Sequence, residues 1–383
     1  MRAVVYRQQS EPVRVEDVRL APPGPGEVEV RIAAAGVCHS DLHVRHGDWD
    51  LPVPLVMGHE GSGVVTRTGA GVEDLEVGDH VVLSWVAPCG RCRNCLAGRP
   101  VRCSVAAGTV ALGGTLNDGT TRLSDDAGPI HHYLGTSVFA ERAVVPASGA
   151  IKVRRDAPLE NVSIIGCAIA TGVGAVRNTA QVPAGATVSV TGCGGVGLSV
   201  VQGARLAGAE RIVAIDVRRD KLELARRFGA TDTVLVEDGL DVVAATRAIL
   251  PDGVDFAFDA IGRSAVTEQC IAMLAIGGSA VIVGIPPAGT RVSFEPQTLV
   301  DLDQRIIGSN YGGITPSEDI PWLVDEYLAG RLFVDEMISD RRPLEDAEDS
   351  LVRLGEGSAL RQLLIPDMGP GAAQNHHRSE EER

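Results

Sequence analysis

The stretch "VSVTGCGGVGLSVVQGARLAG", residues 188–208, decides the fold. A β-branched apolar run enters a turn with glycines at 192, 194 and 197, the G-x-G-x-x-G spacing, and leaves as a helical pattern. Gly192 permits the tight turn, Gly194 lets the backbone approach a pyrophosphate, and Gly197 allows helix and strand to pack closely. The helix that follows offers free N–H groups and a positive dipole end to phosphate. Downstream, apolar strands and amphipathic helices alternate: "RIVAIDV" then "RRDKLELARRFG", later "VDFAFDAIG" and "SAVIVGIP". Such alternation builds parallel βαβ units, a doubly wound sheet. Asp216 ends the second strand, nineteen residues after Gly197, where a carboxylate binds both ribose hydroxyls and repels a 2′-phosphate. NAD is therefore expected over NADP, although Arg218 and Arg219 stand nearby.

Upstream the rhythm differs. "EVEVRIAAAG", "GSGVVTRTG" and "GDHVVLSWV" are short Val-rich segments separated by Gly and Pro, the pattern of an all-β, barrel-like unit. Beyond about residue 311, Trp322 to Leu328 reads as a helix and "RQLLIPD" as a closing strand. The tail 369–383, "GPGAAQNHHRSEEER", has no apolar face and is expected to be disordered. The chain has 383 residues, enough for two domains, and 44% hydrophobic against 22% charged residues, a globular balance. No long uncharged apolar run and no secretory leader are visible, so a cytosolic location with reduced thiols is expected. A net charge of −15 disfavours nucleic acid and anionic membranes as partners.

Four cysteines crowd "CGRCRNCLAGRPVRC", residues 89–103, a loop by its Gly and Pro content. A disulfide tangle and a closed Cys₄ metal site both fit that spacing, and a reducing compartment disfavours the first. Elsewhere "GVCHSDLH", "GHEG" and "GCAIATG" hold Cys38, His59 with Glu60, and Cys167. Two cysteines and a histidine from separate turns are the donor set of a zinc with one open position. Singly each is unremarkable: a buried Cys packs as a small hydrophobe, and a lone His satisfies core hydrogen bonds.

Together, in this order, these motifs resemble the zinc-dependent alcohol dehydrogenases of the medium-chain dehydrogenase/reductase superfamily, from the first strand to about Pro366. The resemblance implies a GroES-like catalytic domain over 1–168 and 311–383 and a Rossmann NAD-binding domain over 169–310. It implies two zinc ions per chain: a catalytic one on Cys38, His59 and Cys167, with Glu60 able to exchange onto it, and a structural one on Cys89, Cys92, Cys95 and Cys103. Asp41 matches the carboxylate that orients the ligand histidine. Cys193 and Cys270 match no motif and are read as packing residues. The implied reaction is reversible hydride transfer from a zinc-bound primary alcohol to NAD, with a proton relay from Ser40 to His43; Ser40 also reads as a helix cap. The coenzyme set comprises His39, Gly192, Gly194, Gly195, Val196, Gly197, Asp216, Lys221, Ile285 and Arg361. His39 stands where some relatives carry a pyrophosphate arginine, and Arg361 matches the other one. Trp49, Trp85, Tyr133, Leu134 and Asn310 fall on the substrate pocket, with Ile285 further out. The long connection 108–137 matches the mostly dimeric branch, so a homodimer is expected. The alternatives are a formaldehyde dehydrogenase acting on a glutathione or mycothiol adduct, and a nucleotide-binding homologue without catalysis. Trp49 stands where the glutathione enzymes need an acid.

Overall fold

A computed structural model describes residues 1–357 and 359–368; the segment 369–383, expected to be disordered, lies outside the described residues. The chain forms two compact units, residues 1–167 with 315–383, and residues 168–314. Both expected architectures are present: a barrel-like β unit and a doubly wound parallel sheet.

The first unit carries two sheets. Its spine is the ten-residue strand Glu27–Gly36, which pairs along one edge with Glu60–Thr68. Along the other edge it pairs with Arg142–Pro146 near its start and with Arg361–Leu364 at its end. Val28, Val30 and Ile32 alternate into an apolar core with Val4, Tyr6, Leu55, Met57 and Phe139. Each such side chain, removed from water, contributes roughly 1.5–3 kcal/mol before entropy is counted. Glu27, buried on the same strand, is tolerated because Arg122 donates to both its oxygens, at 2.7 and 2.8 Å.

The second unit is a six-stranded parallel sheet in the spatial order 232–235, 211–216, 187–191, 254–259, 274–282, 305–308. In order of appearance this is 3-2-1-4-5-6, with the reversal of direction between Thr187–Thr191 and Val254–Asp259. Ligands of such sheets bind at that reversal, beyond the strand C-termini.

Two local expectations are corrected. The helix expected from Trp322 begins earlier, at Pro316, and runs to Leu328. Proline at the first position is pre-set for a helix, and Pro321 within the helix masks the pattern in sequence. The cysteine loop contains two helical turns, Arg93–Leu96 and Pro100–Arg102. The connection 108–137 is partly structured, with strands at Leu123–Ser124 and Pro129–His132. No single helix among the described residues is long and apolar enough to cross a membrane.

Candidate metal and coenzyme sites

Strand Glu27–Gly36 delivers Cys38 to the N-cap of helix His39–His46. The Asp41 carboxylate, three residues on, accepts the Cys38 backbone N–H at 2.9 Å, so the helix start is closed by Cys38 and Asp41. Ser40 is therefore not the cap; it lies one position into the helix with its hydroxyl 3.9 Å from Cys38 Sγ. The other Asp41 oxygen accepts from His59 Nδ1 at 3.1 Å. One buried carboxylate thus ties together two segments that carry candidate ligands, and it leaves His59 Nε2 facing Cys167 Sγ at 3.3 Å. Gly58 turns the chain here with φ +89; a Cβ would fall 2.3 Å from the Phe139 ring.

The donor atoms of Cys38, His59 and Cys167 all lie within 4.8 Å of one another and all three residues are buried. Zinc bonds of about 2.3 Å to sulfur and 2.0–2.1 Å to nitrogen imply a tetrahedral S···N edge of about 3.6 Å, close to what is present. The donor set fits a zinc ion. Electrostatics points the same way. Cys38 shares a proton with Cys167 and is drawn well below the ordinary thiol range despite burial, helped by Arg361. Burial works against a charge on His59, yet Asp41 and then Cys38 outweigh it and raise its pKa to about 10. The pocket attracts positive charge, which is what a divalent cation supplies.

Glu60 is completely buried beside this set. Its partner is Arg361, whose guanidinium reaches Glu60 at 3.3 Å and the Val37 carbonyl at 3.0 Å. Gly36 makes room, since a Cβ there would meet the Glu60 carboxylate at 2.6 Å. Arg361 is itself only 4% exposed and points inward to this cluster. Sequence matching assigned it to phosphate; the inward pairing was invisible because the partners are 301 residues apart.

Tyr133 stands edge-on to His59, ring centroids 5.4 Å apart at 85°. It is fully buried, its hydroxyl has no hydrogen-bond partner among the described residues, and burial holds its pKa well above the ordinary value. Leu134 follows in the left-handed region at φ +50. Trp49 and Trp85 are half-buried in the same unit. Ile285 and Asn310 belong to the second unit, both exposed. His39 is exposed at the first position of its helix.

Cys89, Cys92, Cys95 and Cys103 form the second cluster, again within 4.8 Å of one another. The Cys92–Cys95 and Cys92–Cys103 sulfurs are 3.5 and 4.0 Å apart, bracketing the S···S edge of about 3.8 Å that four Zn–S bonds impose. Backbone N–H groups of Cys89, Cys92 and Ala106 donate to these sulfurs at 3.3 to 3.5 Å. The N–H groups of Cys95 and Ser104 draw the Cys92 thiol down to about 5. All eight cysteines are unbridged, so the disulfide alternative falls. Cys193 and Cys270 are fully buried, as packing residues should be.

In the second unit Gly192 has φ +94. A Cβ on Gly197 would lie 1.7 Å from the Gly192 carbonyl, whereas one on Gly194 would meet open space. Gly192 thus serves the turn, Gly197 the close packing of helix on strand, and Gly194 leaves its backbone uncovered. The helix Gly195–Leu206 follows, with Gly195 and Val196 half-buried at its start. Asp216 does more than sequence suggested. Its oxygens accept from the N–H groups of Cys193 at 2.6 Å and Arg218 at 2.9 Å, fastening the glycine turn to the second strand. Arg218 pairs with Asp220 at 2.8 Å, on its own helix start. Lys221 is half-buried one turn further on.

Two family models match the chain: an alcohol dehydrogenase GroES-like domain over residues 24–155 and a zinc-binding dehydrogenase domain over 195–329. A probable S-(hydroxymethyl)glutathione dehydrogenase 1 of Schizosaccharomyces pombe is 37% identical over 95% of this chain and 96% of its own length. A class-3 alcohol dehydrogenase of Zea mays is 36% identical over 95% and 96%. Among solved structures, benzyl alcohol dehydrogenase from Acinetobacter calcoaceticus superposes with TM-score 0.90 at 32% identity, covering 95% of this chain and 98% of that one. An alcohol dehydrogenase zinc-binding domain protein from Burkholderia ambifaria reaches 0.91 at 38%, with the same coverage. The cofactors are accordingly zinc and a nicotinamide dinucleotide. On these matches the chain belongs to the zinc-dependent alcohol dehydrogenase family of medium-chain dehydrogenases/reductases.

Proposed function

We propose that the chain oxidises primary alcohols, aliphatic or benzylic, to aldehydes reversibly with NAD. The observation that carries this reading is the enclosed three-donor set Cys38, His59 and Cys167. Three protein donors leave a fourth tetrahedral position for substrate. Zinc held there supplies a Lewis acid that makes a hydroxyl acidic near neutral pH, and the nicotinamide supplies the hydride acceptor. The chain's own residues do the rest. Asp41 fixes the His59 ring, Arg361 balances Glu60, Ser40 Oγ takes the proton, and His43, 28% exposed, hands it to water. Glu60 is the carboxylate that can exchange onto the metal. The four-cysteine site holds a structural zinc, and Asp216 selects NAD. His39, Gly194, Gly195, Val196, Lys221 and Ile285 complete the coenzyme contacts. Trp49, Trp85, Tyr133, Leu134 and Asn310 line the substrate channel. A homodimer in the cytosol is the working form, which light scattering on the purified protein checks.

A second reading, oxidation of a hydroxymethyl–thiol adduct, is favoured by the similarity to the fission-yeast probable S-(hydroxymethyl)glutathione dehydrogenase. One assay separates the two: NAD-linked turnover of alcohols and of formaldehyde, with and without glutathione or mycothiol. Turnover of formaldehyde only with thiol, and none of benzyl alcohol or 1-butanol, would replace the first reading by the second. Bulky rings at the reacting carbon should make 1-butanol better than 2-butanol by roughly tenfold to two-hundredfold in kcat/KM. Trp85→Ala should narrow that ratio, and a wild type that prefers 2-butanol refutes the placement of both tryptophans.

A further inference from the structure

The segment after the relay helix, Gly47-Asp48-Trp49, is built around the His43 side chain. Helix His39–His46 ends at Gly47 in the left-handed region, φ +76. Gly47 N–H donates to the Val44 carbonyl at 3.0 Å and Asp48 N–H to the His43 carbonyl at 2.9 Å, the paired bonds of a Schellman end. That turn brings the Asp48 side chain back over the residue to which its backbone is already bonded. Asp48 Oδ2 lies 2.8 Å from His43 Nδ1. The Trp49 ring then covers one face of the imidazole, centroids 5.4 Å apart and planes 21° from parallel. The imidazole is held at an edge and a face.

We infer that Asp48 is a positioning residue that holds His43 in its Nδ1–H tautomer and makes Nε2 the nitrogen that receives the relayed proton. The chemistry forces this assignment. An ionised carboxylate accepts and cannot donate, so the nitrogen facing Asp48 must carry the hydrogen. The lone pair of neutral His43 is then on Nε2, at the ring edge turned away from Asp48. Without a partner, imidazole favours the opposite tautomer, with the lone pair on Nδ1. Asp48 has no other hydrogen-bond or ion-pair partner among the described residues, and the nearest arginine of the helix, Arg45, is engaged by Glu348 at 2.8 Å. The inference rests on the reading of His43 as the outer end of the relay.

The test uses the zinc-loaded full chain with ¹⁵N-labelled histidine. His43→Gln identifies the His43 resonances among the nine histidines. Wild type should show the Nδ1–H pattern, Asp48→Asn should retain it through its remaining acceptor oxygen, and Asp48→Ala should shift it towards Nε2–H. Asp48 is 39% exposed, so these variants should melt with wild type. Turnover of a good alcohol should fall about two- to fivefold in Asp48→Ala, the effect of an exposed charge pair. Adding Asp48→Ala to His43→Gln should slow the enzyme no further, because the two residues act as one unit. An unchanged tautomer in Asp48→Ala, or full additivity in the double variant while His43→Gln alone is slow, overturns the role of Asp48. A His43→Gln enzyme as fast as wild type overturns the relay reading instead, and the ¹⁵N pattern then still decides whether Asp48 holds the ring.

Discussion

Replacing Arg361 by methionine tests two jobs for that arginine, the inward ion pair and the phosphate contact. Arg361 is 4% exposed, and the one carboxylate it reaches among the described residues, Glu60 at 3.3 Å, is completely buried. Arg361→Met keeps most of the aliphatic volume but removes the cation 3.3 Å from the buried Glu60 carboxylate and the 3.0 Å donor to the Val37 carbonyl. Breaking one side of a buried pair costs about 3–5 kcal/mol, because the remaining ion keeps its desolvation penalty. Against a total stability of roughly 5–15 kcal/mol this is a large loss, about 6–20 °C in melting temperature for a unit of this size. Removing both charges with Glu60→Gln/Arg361→Met should recover much of it, since an apolar replacement of the whole pair is often neutral. Calorimetry on the four proteins, with NADH affinity measured by fluorescence, gives both axes. Arg361→Met that melts with wild type but binds NADH a hundredfold more weakly would refute the inward role and restore the phosphate contact.

Cys92→Ser should lower the melting temperature and promote aggregation, because a closed four-sulfur site fixes its loop, whereas Cys38→Ser should stay folded with one zinc fewer and no turnover; melting curves and metal analysis check both, and an active Cys38→Ser protein refutes the ligand assignment. Asp216→Ala should weaken NAD, improve NADP, and cost about 1–3 kcal/mol of stability, since the N–H groups of Cys193 and Arg218 lose their acceptor; coenzyme titrations and urea unfolding read the two effects. Burial opposes ionisation of Asp79, but the hydrogen bonds from Lys152 and the Glu76 N–H outweigh it and depress its pKa below 3.8. Its stabilisation is therefore complete above the unfolded value and disappears as pH falls through the lower folded value, so Asp79→Asn should lose stability at pH 7 and approach wild type only once pH has fallen below that depressed value.

What was legible in the sequence is what local chemistry imposes. Gly192 and Gly197 announce themselves because a φ of +94 at the first and a 1.7 Å Cβ clash at the second admit no substitute, whereas Gly194 is legible only through its spacing to them. The four cysteines of the lobe lie within fifteen residues, so their spacing alone carries the site. Helix Pro316–Leu328 was half missed for the same local reason, since Pro321 looks like a boundary when its neighbours are unknown. Asp48 carries no signal in the sequence, because an acid after a helix-ending glycine is ordinary turn composition. Its meaning comes from the fold-back that places Oδ2 on His43, which no spacing rule predicts.

The candidate catalytic centre was legible only as residue types, because its logic is a balance of charges brought from distant strands. Asp41, Glu60 and the sulfurs of Cys38 and Cys167 offer up to four negative charges in a buried cluster, and Arg361 is the one fixed cation paired there among the described residues. A set so unbalanced cannot stay ionised alone. The thiols respond by sharing a proton, Cys38 low and Cys167 high, and His59 by taking one up at an unusually high pKa of about 10. Each response is what a missing positive charge would look like to titration, and a divalent cation satisfies all of them together. Asp41 and Glu60 then divide the work by their partners. Asp41 is bonded to ligand-bearing segments at Cys38 and His59 and fixes geometry; Glu60 is bonded to Arg361 and sets net charge. Exchanging Asp41 for asparagine should therefore disturb metal retention, by roughly ten- to a hundredfold in affinity, more than it disturbs folding. Zinc release to a chelator, followed at constant melting temperature, measures that difference, and equal retention in Asp41→Asn and wild type would show that His59 is oriented without it.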